Sequence, residues 1–369
     1  MNKAKEPLIR VVGRNADTST GSRVLSTVLA IILALTIGSV FLLIMGYNPI
    51  EAYMTIISGA FRSQMAREGT VKVMIPLIIS TLGVMLAFKM KFWNIGAEGQ
   101  IIMGAAFASY FALYHSGINH WILIAVMFIA GAVGGGIWGL IPAYLKMKWG
   151  TNETLMTLML NYIATYIVSF LRDGPWRDPE AAGFSKIARF DNNAALDKVF
   201  GVHFGWIIAL ILTAVVYVYL RYSKHGYEIS VVGESQDTAR YAGMNIKKIV
   251  LRTMFLSGAV CGICGMVQAC GADITLTANV GGGVGFTAII IAWLGNLNPI
   301  ITLFISAMFS ILEKGSTVVQ SSMGLSADSA DVLQGIILFM VIASEFFTRY
   351  KLIFRKKADS AISESVKEG

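Results

Sequence analysis

The residues of this chain that could do chemistry are few, and they stand among long apolar runs. Glu98 is the only Asp, Glu, Lys or Arg between Lys91 and Lys146. An ionisable group within such a run usually faces protein or water, which suggests a role in a substrate or ion path. Alternatively, Glu98 caps the start of its own helix, where a carboxylate complements the positive helix N-terminus. The sequence leaves both interpretations open.

Cysteine and histidine do not outline a catalytic or metal centre. Cys261 and Cys264 have the spacing of a redox or metal motif, but no histidine lies near them in the sequence. We therefore interpret them as two small thiols one turn apart on a glycine-rich helix. The four histidines are scattered without zinc spacing. The chain also lacks a phosphate-binding Gly-x-x-x-x-Gly-Lys loop and a Gly-x-Ser-x-Gly nucleophile elbow. We expect no catalytic residue, metal site or cofactor in this chain.

The composition is that of a membrane protein with several crossings. Hydrophobic residues make up 55% of the 369 residues, charged residues only 14%, and the mean hydropathy is +0.65. A soluble domain carries about 25% charged residues. Residues 99–145 and 274–312 contain no Asp, Glu, Lys or Arg, and each is long enough for two helices of about 20 residues. The runs are continuously apolar, which favours helices over a β-barrel.

These runs predict an all-α helical bundle with about ten transmembrane helices in one membrane domain, 24–348. The predicted spans are 24–46, 72–88, 95–114, 120–144, 154–171, 204–221, 250–270, 284–296, 299–313 and 331–348. Most Lys and Arg residues then fall on one side, which predicts that both termini, 1–23 and 349–369, are cytoplasmic. Residues 172–203 form an outer loop and 222–249 an inner loop. The net charge of +8 flanks spans, so we reject nucleic-acid binding.

Two stretches, one polar and one rich in glycine, interrupt the apolar pattern. Residues 233–245 predict a short helix at about 235–242, bounded by Gly233 and Gly243, in the inner loop. A structured polar element on the cytoplasmic side of a membrane protein suggests a docking partner. Residues 278–286 are rich in glycine, and we interpret them as a flexible lead into an unusually short apolar run. Asn161 lies inside a span, where it either pairs with another helix or lines a polar path.

Four segments of the chain are similar to one known family. The segments are NIGAEGQ at 94–100, GTNE at 150–153 with LNY at 160–162, the stretch 233–244 followed by SGA at 257–259, and GFTAI at 285–289 with LGNLNP at 294–299. Over about 72–348 the chain resembles membrane permeases of ATP-binding-cassette (ABC) importers in the branched-chain amino acid/ribose permease superfamily, with the nucleoside type closest. Trp293 is a bulky departure from the family pattern, so the resemblance does not define the packing or substrate path there.

The resemblance implies that the chain is an importer subunit and not an enzyme. It also implies that the chain lies in the cell membrane of a bacterium. It implies an ABC ATPase subunit that binds the ATP, a second permease subunit that is a related but different chain, and an external substrate-binding lipoprotein. The residues expected to couple to the ATPase are Gly233, Glu234, Ala239, Arg240, Tyr241, Gly243 and Met244. The candidates for the translocation path are Trp93, Asn94, Glu98, Gln100, Asn161 and Trp293.

The resemblance implies nucleosides as the cargo that moves inward. A sugar is the alternative within the same family. A self-sufficient secondary transporter is the alternative from another class, and it would need ion-coupling carboxylates buried at mid-membrane. The chain offers only Glu98 and Glu313 for that role, both near span ends.

Overall fold

The structure is a computed structural model. It describes residues 9–13, 32–33, 35–181, 183–324, 326, 329, 332, 335–336, 339 and 350–354. The predicted last span, 331–348, and the first part of the predicted span 24–46 therefore lie largely outside the described residues. The described chain divides into two units, one of residues 1–54 with 319–369 and one of residues 55–318.

Helices dominate the described residues, in agreement with the mostly apolar sequence. They are α1 (Leu35–Ile44), α2 (Pro49–Phe61), α3 (Gln64–Lys89), α4 (Ala97–Tyr114), α5 (His120–Trp149), α6 (Glu153–Asp173), α7 (Gly205–Tyr222), α8 (Lys224–Glu234), α9 (Gln236–Tyr241), α10 (Ile246–Val267), α11 (Val284–Leu294) and α12 (Pro299–Met323). A π-helical turn, Gln268–Asp273, extends α10, and Asn192–Ala194 form a 3-10 turn.

Two short antiparallel strand pairs depart from the predicted all-α architecture. In the first unit, β1 (Ile9–Gly13) pairs with β4 (Tyr350–Phe354). In the second unit, β2 (Lys198–Val199) pairs with β3 (Val202–His203) inside the predicted outer loop. The hairpin turns at Phe200 and Gly201, which both have positive φ. At two to five residues, these strands are too short to stand out in the sequence.

Six of the described helices are long and apolar enough to cross a membrane. They are α3, α5, α6, α7, α10 with its π-helical turn, and α12; the number rises to seven if α1 and α2 are one bent span. The described part of the chain therefore does not supply all ten predicted crossings. The predicted crossing at 284–296 is the 11-residue α11. At 1.5 Å per residue, α11 is about 16 Å long, roughly half of a bilayer core of about 30 Å.

The core of the second unit surrounds α10. This helix packs against α3, α4 and α5 through small residues that let the backbones come together. A Cβ on Gly135 would collide with the backbone of Gly258 and Gly262, and one on Gly104 would collide with Gly262. Gly131, Gly135 and Gly139 are spaced by four in the sequence, as are Gly258 and Gly262. This spacing predicts such close approach, and the structure confirms it. The backbones of α4 and α5 are thereby in direct contact with the backbone of α10.

Candidate functional site

The connection between α3 and α4 is a buried polar turn built around Asn94. The Asn94 side chain is fully buried, and its Oδ1 accepts a hydrogen bond from the Gly96 backbone N–H at 3.0 Å. Its amide also exchanges hydrogen bonds with the Gln100 side chain at 3.2 and 3.3 Å and donates to the Ser257 hydroxyl at 3.3 Å. Ser257, on α10, in turn donates to the Gly83 carbonyl of α3 at 2.7 Å. The turn is thus tied to both neighbouring helices.

Two side chains of α6 hold the other side of this turn. Asn161 Oδ1 accepts from the Gly99 N–H at 2.8 Å, and Asn161 Nδ2 donates to the Ile95 carbonyl at 3.0 Å. The Thr157 hydroxyl accepts from the Ile95 N–H at 3.2 Å. The sequence leaves open whether Asn161 pairs with another helix or lines a polar path. The observed hydrogen bonds are those of pairing, with the start of α4 and the turn before it. We define residues 94–100 together with Thr157, Asn161 and Ser257 as the buried turn.

Glu98 is buried, with 7% of its surface exposed, and its carboxylate faces the start of α11. It accepts hydrogen bonds from the backbone N–H groups of Gly283 at 2.9 Å and Gly285 at 2.8 Å. These are among the first donors of α11, which have no partner within the helix. The carboxylate therefore caps a helix, but that helix is α11 and not its own. A negative charge at a helix N-terminus also interacts favourably with the helix dipole.

The glycines of 281–285 are required by this contact. A Cβ on Gly281 would collide with the Glu98 carboxylate, and one on Gly285 would collide with the Glu98 backbone. Gly282 and Gly283 have φ values of +57° and +82°, a region that glycine adopts without strain. The segment interpreted as flexible from its sequence has a specific conformation, in which it wraps the Glu98 carboxylate.

An aromatic cluster lies where α3 and α11 end. The Trp93 and Trp293 rings stack with centroids 5.8 Å apart and planes 29° apart. Phe88 contacts both rings, at 5.6 and 5.8 Å. Trp93 remains 49% exposed. The structure thus brings together the two tryptophans that the sequence places 200 positions apart, and Trp293 fits as a stacking partner, although it departs from the family pattern.

The expected coupling residues lie on α8, α9 and the turn into α10. Ser223, Ser235 and Asn245 cap the starts of these three helices with their side chains. Gly233 was expected to bound the short helix, but it lies inside α8, where a Cβ would collide with the Lys89 carbonyl of α3. The break is at Ser235 instead, because its hydroxyl accepts from the Thr238 N–H and starts α9.

α9 exposes most of its surface. Ala239 is fully buried, whereas Glu234 and Arg240 are exposed and Tyr241 is 93% exposed. The segment ends at Gly243, whose φ is +74°, and the Met244 N–H donates to the Ala239 carbonyl. α9 therefore packs against the rest of the protein through Ala239 and presents Tyr241, which we call its tip, to the outside.

An ion pair that the sequence did not suggest connects this segment to the bundle. Glu228 of α8 accepts from the Arg252 guanidinium of α10 at 2.9 Å. This hydrogen bond lowers the pKa of Glu228 below its usual value. The pair stays formed at neutral pH because the carboxylate is ionised there. We define residues 223–245 as the arm, which contacts α3 at Gly233 and α10 at Glu228.

Comparisons with known proteins agree on one family. The family model described as the branched-chain amino acid transport system permease component matches residues 65–342. A glucose ABC transporter permease of Haloferax volcanii is 30% identical, covering 92% of each chain. A guanosine ABC transporter permease of Bacillus subtilis is 28% identical over 91% of this chain and 97% of its own. A nucleoside ABC transporter permease of Lactococcus lactis is 29% identical over 94% and 98%.

Proposed function

Because the chain belongs to the family of branched-chain amino acid transport system permease components, we propose that it moves nucleosides inward across a cell membrane. As an ABC transporter permease, it is a transport component. ATP would be bound and hydrolysed on a separate ATPase subunit. A related second permease and an external substrate-binding lipoprotein would complete the importer. Both termini and the arm would lie in the cytoplasm, where most of the basic residues are expected.

The observation that carries the proposal of ATP-driven transport is the exposed tip of the arm. Tyr241 is 93% exposed on a six-residue helix whose only buried residue is Ala239. Large exposed aromatic residues on a rigid support are typical anchors of a protein interface. Since the arm contacts α3 through Gly233 and α10 through Glu228, a partner that moves Tyr241 would also move the two most buried spans. We propose that this partner is the ATPase.

The buried turn, α11 and the aromatic cluster would border the translocation path. The Trp93 and Trp293 rings offer a stacking surface at the end of α3, and stacking is how a nucleobase is usually held without strict selectivity. Glu98 is less suited to ion coupling, because its carboxylate is engaged by two backbone N–H groups of α11. This argues against a self-sufficient secondary transporter.

A sugar is the second candidate cargo, because the 30% identical relative is a glucose permease. Uptake of radiolabelled guanosine, adenosine and glucose by cells that lack the chain, and by cells with it restored, separates the two. Nucleoside uptake that is lost and recovered supports the proposal. Recovery of glucose uptake alone would reject nucleosides as the cargo, and the chain would still be a permease.

The coupling role has its own test, in which the ATPase is co-purified with variants of the chain. Tyr241→Ala removes the proposed anchor, and we expect at least a tenfold weaker association with the ATPase. Tyr166→Ala is the matched control, because Tyr166 is also exposed, at 71%, but lies on α6. Equal association of both variants would contradict the coupling role of the arm.

A further inference from the structure

A polar cavity of about 390 Å³ lies at the end of the bundle that carries the arm. The ends of α3 and α7, two residues of α8 and the connection from α11 to α12 enclose it. The residues that matter here are Lys89, Tyr217, Arg221, Tyr227 and Ser230. The volume falls within the range of about 300–1,000 Å³ that is typical of small-molecule pockets.

The cavity carries unmatched positive charge. Lys89 and Arg221 line it, and no Asp or Glu does. In the part of the chain that the structure describes, neither side chain takes part in an ion pair. Lys89 is half-buried. A half-buried ammonium without a partner is unfavourable, so the cavity is suited to an anion.

The surroundings of the cavity indicate which kind of anion it holds. On another face of α7, a nearly wholly apolar groove of about 510 Å³ is lined by Val215, Val218 and Tyr222 among others. These three side chains are between 54% and 70% exposed. Tyrosines at the end of a transmembrane helix are typical of the membrane–water interface. An anionic group held by Lys89 and Arg221, at this same end of α7, would therefore lie at the level of the lipid headgroups.

We propose that this cavity, defined by Lys89, Arg221, Tyr227 and Ser230, binds the phosphate of an anionic phospholipid headgroup at the membrane surface. Basic pockets between transmembrane helices are a known way to hold such headgroups. The bound headgroup touches α8 through Tyr227 and Ser230 and the bundle through Lys89. It thereby links the arm to the bundle, and this role does not depend on the cargo.

The test is native mass spectrometry of the full chain in detergent, titrated with phosphatidylglycerol or phosphatidylcholine. We expect tighter binding of phosphatidylglycerol. Lys89→Gln and Arg221→Gln should each weaken it about fivefold, and the double variant about 30-fold, at about 1 kcal/mol per charge. Lys89→Arg should retain binding, which shows that charge and not folding is affected. Lys247→Gln is the matched control, because Lys247 is exposed at the same end, on α10, but does not line the cavity.

Three results would overturn the proposal. One is equal binding of the two lipids. Another is unchanged phosphatidylglycerol binding by the double variant. The third is loss of bound phosphatidylglycerol when inorganic phosphate is added at the same concentration as the lipid. That result would identify a site for a free anion. If the double variant loses the co-purified ATPase but keeps the lipid, the two cations contact a protein instead.

Discussion

The contact between Glu98 and the start of α11 makes the sharpest prediction. Glu98→Ala removes the only side-chain acceptor that the described residues offer to the Gly283 and Gly285 N–H groups. Leaving each of these two donors unsatisfied costs about 1–3 kcal/mol, or about 2–6 kcal/mol for both. Removing a buried carboxylate also removes its desolvation cost, which offsets part of that loss. We therefore expect the first turn of α11 to open more easily by about 2–3 kcal/mol, or about 30- to 150-fold.

Hydrogen exchange followed by mass spectrometry measures this opening directly. Peptides that contain residues 281–288 should exchange faster in Glu98→Ala, and less so in Glu98→Gln, which keeps one acceptor oxygen. Glu153→Gln is the control, because it removes a partly buried carboxylate that pairs with Lys146 instead, away from α11. Unchanged exchange of 281–288 in Glu98→Ala would refute the capping role, as would equal acceleration by Glu153→Gln.

Three further predictions concern the stability of the protein in detergent. Gly135→Ala should lower thermal stability by about 1–3 kcal/mol because its Cβ would collide with α10, whereas Gly117→Ala, with open space around it, should not. Asn161→Ala should cost about 2 kcal/mol or more in the same assay, because it leaves the N–H of residue 99 and a carbonyl unpaired. His203 is buried, and burial together with the charge of Lys72 lowers its pKa from 6.5 to about 4. As the pH falls through this window the unfolded state binds the proton first, so stability should fall by up to about 3 kcal/mol, and His203→Gln should remove that dependence.

The sequence predicts most of the helices because apolar runs and helix breakers are local signals. The predicted spans 120–144, 154–171 and 204–221 lie within or nearly within α5, α6 and α7. The sequence also indicates that the apolar run at 284–296 is short, but the prediction that it forms a crossing is not met by the 11-residue α11. Hydropathy does not report where the chain enters the bundle, and the start of α11 is fixed by Glu98, 185 positions earlier.

The candidate site was predictable only as a set of unusual residues. Glu98, Asn94 and Asn161 stand out in the sequence because they are polar within apolar stretches. Their partners do not stand out, because Ser257, Gly283 and the backbone of Ile95 become their neighbours only when the helices pack. The stacking of Trp93 on Trp293 has the same origin. The roles of these residues in a path stay predictions.

One measurement tests the central proposal most directly. The chain, its partner permease and the ATPase are reconstituted into vesicles with the external binding protein, and accumulation of radiolabelled guanosine is followed with and without ATP. We predict accumulation that requires ATP, that persists in Tyr166→Ala and that falls at least tenfold in Tyr241→Ala. Guanosine accumulation that needs no ATP, or that is unchanged in Tyr241→Ala, would contradict an ATP-driven nucleoside importer coupled through the arm.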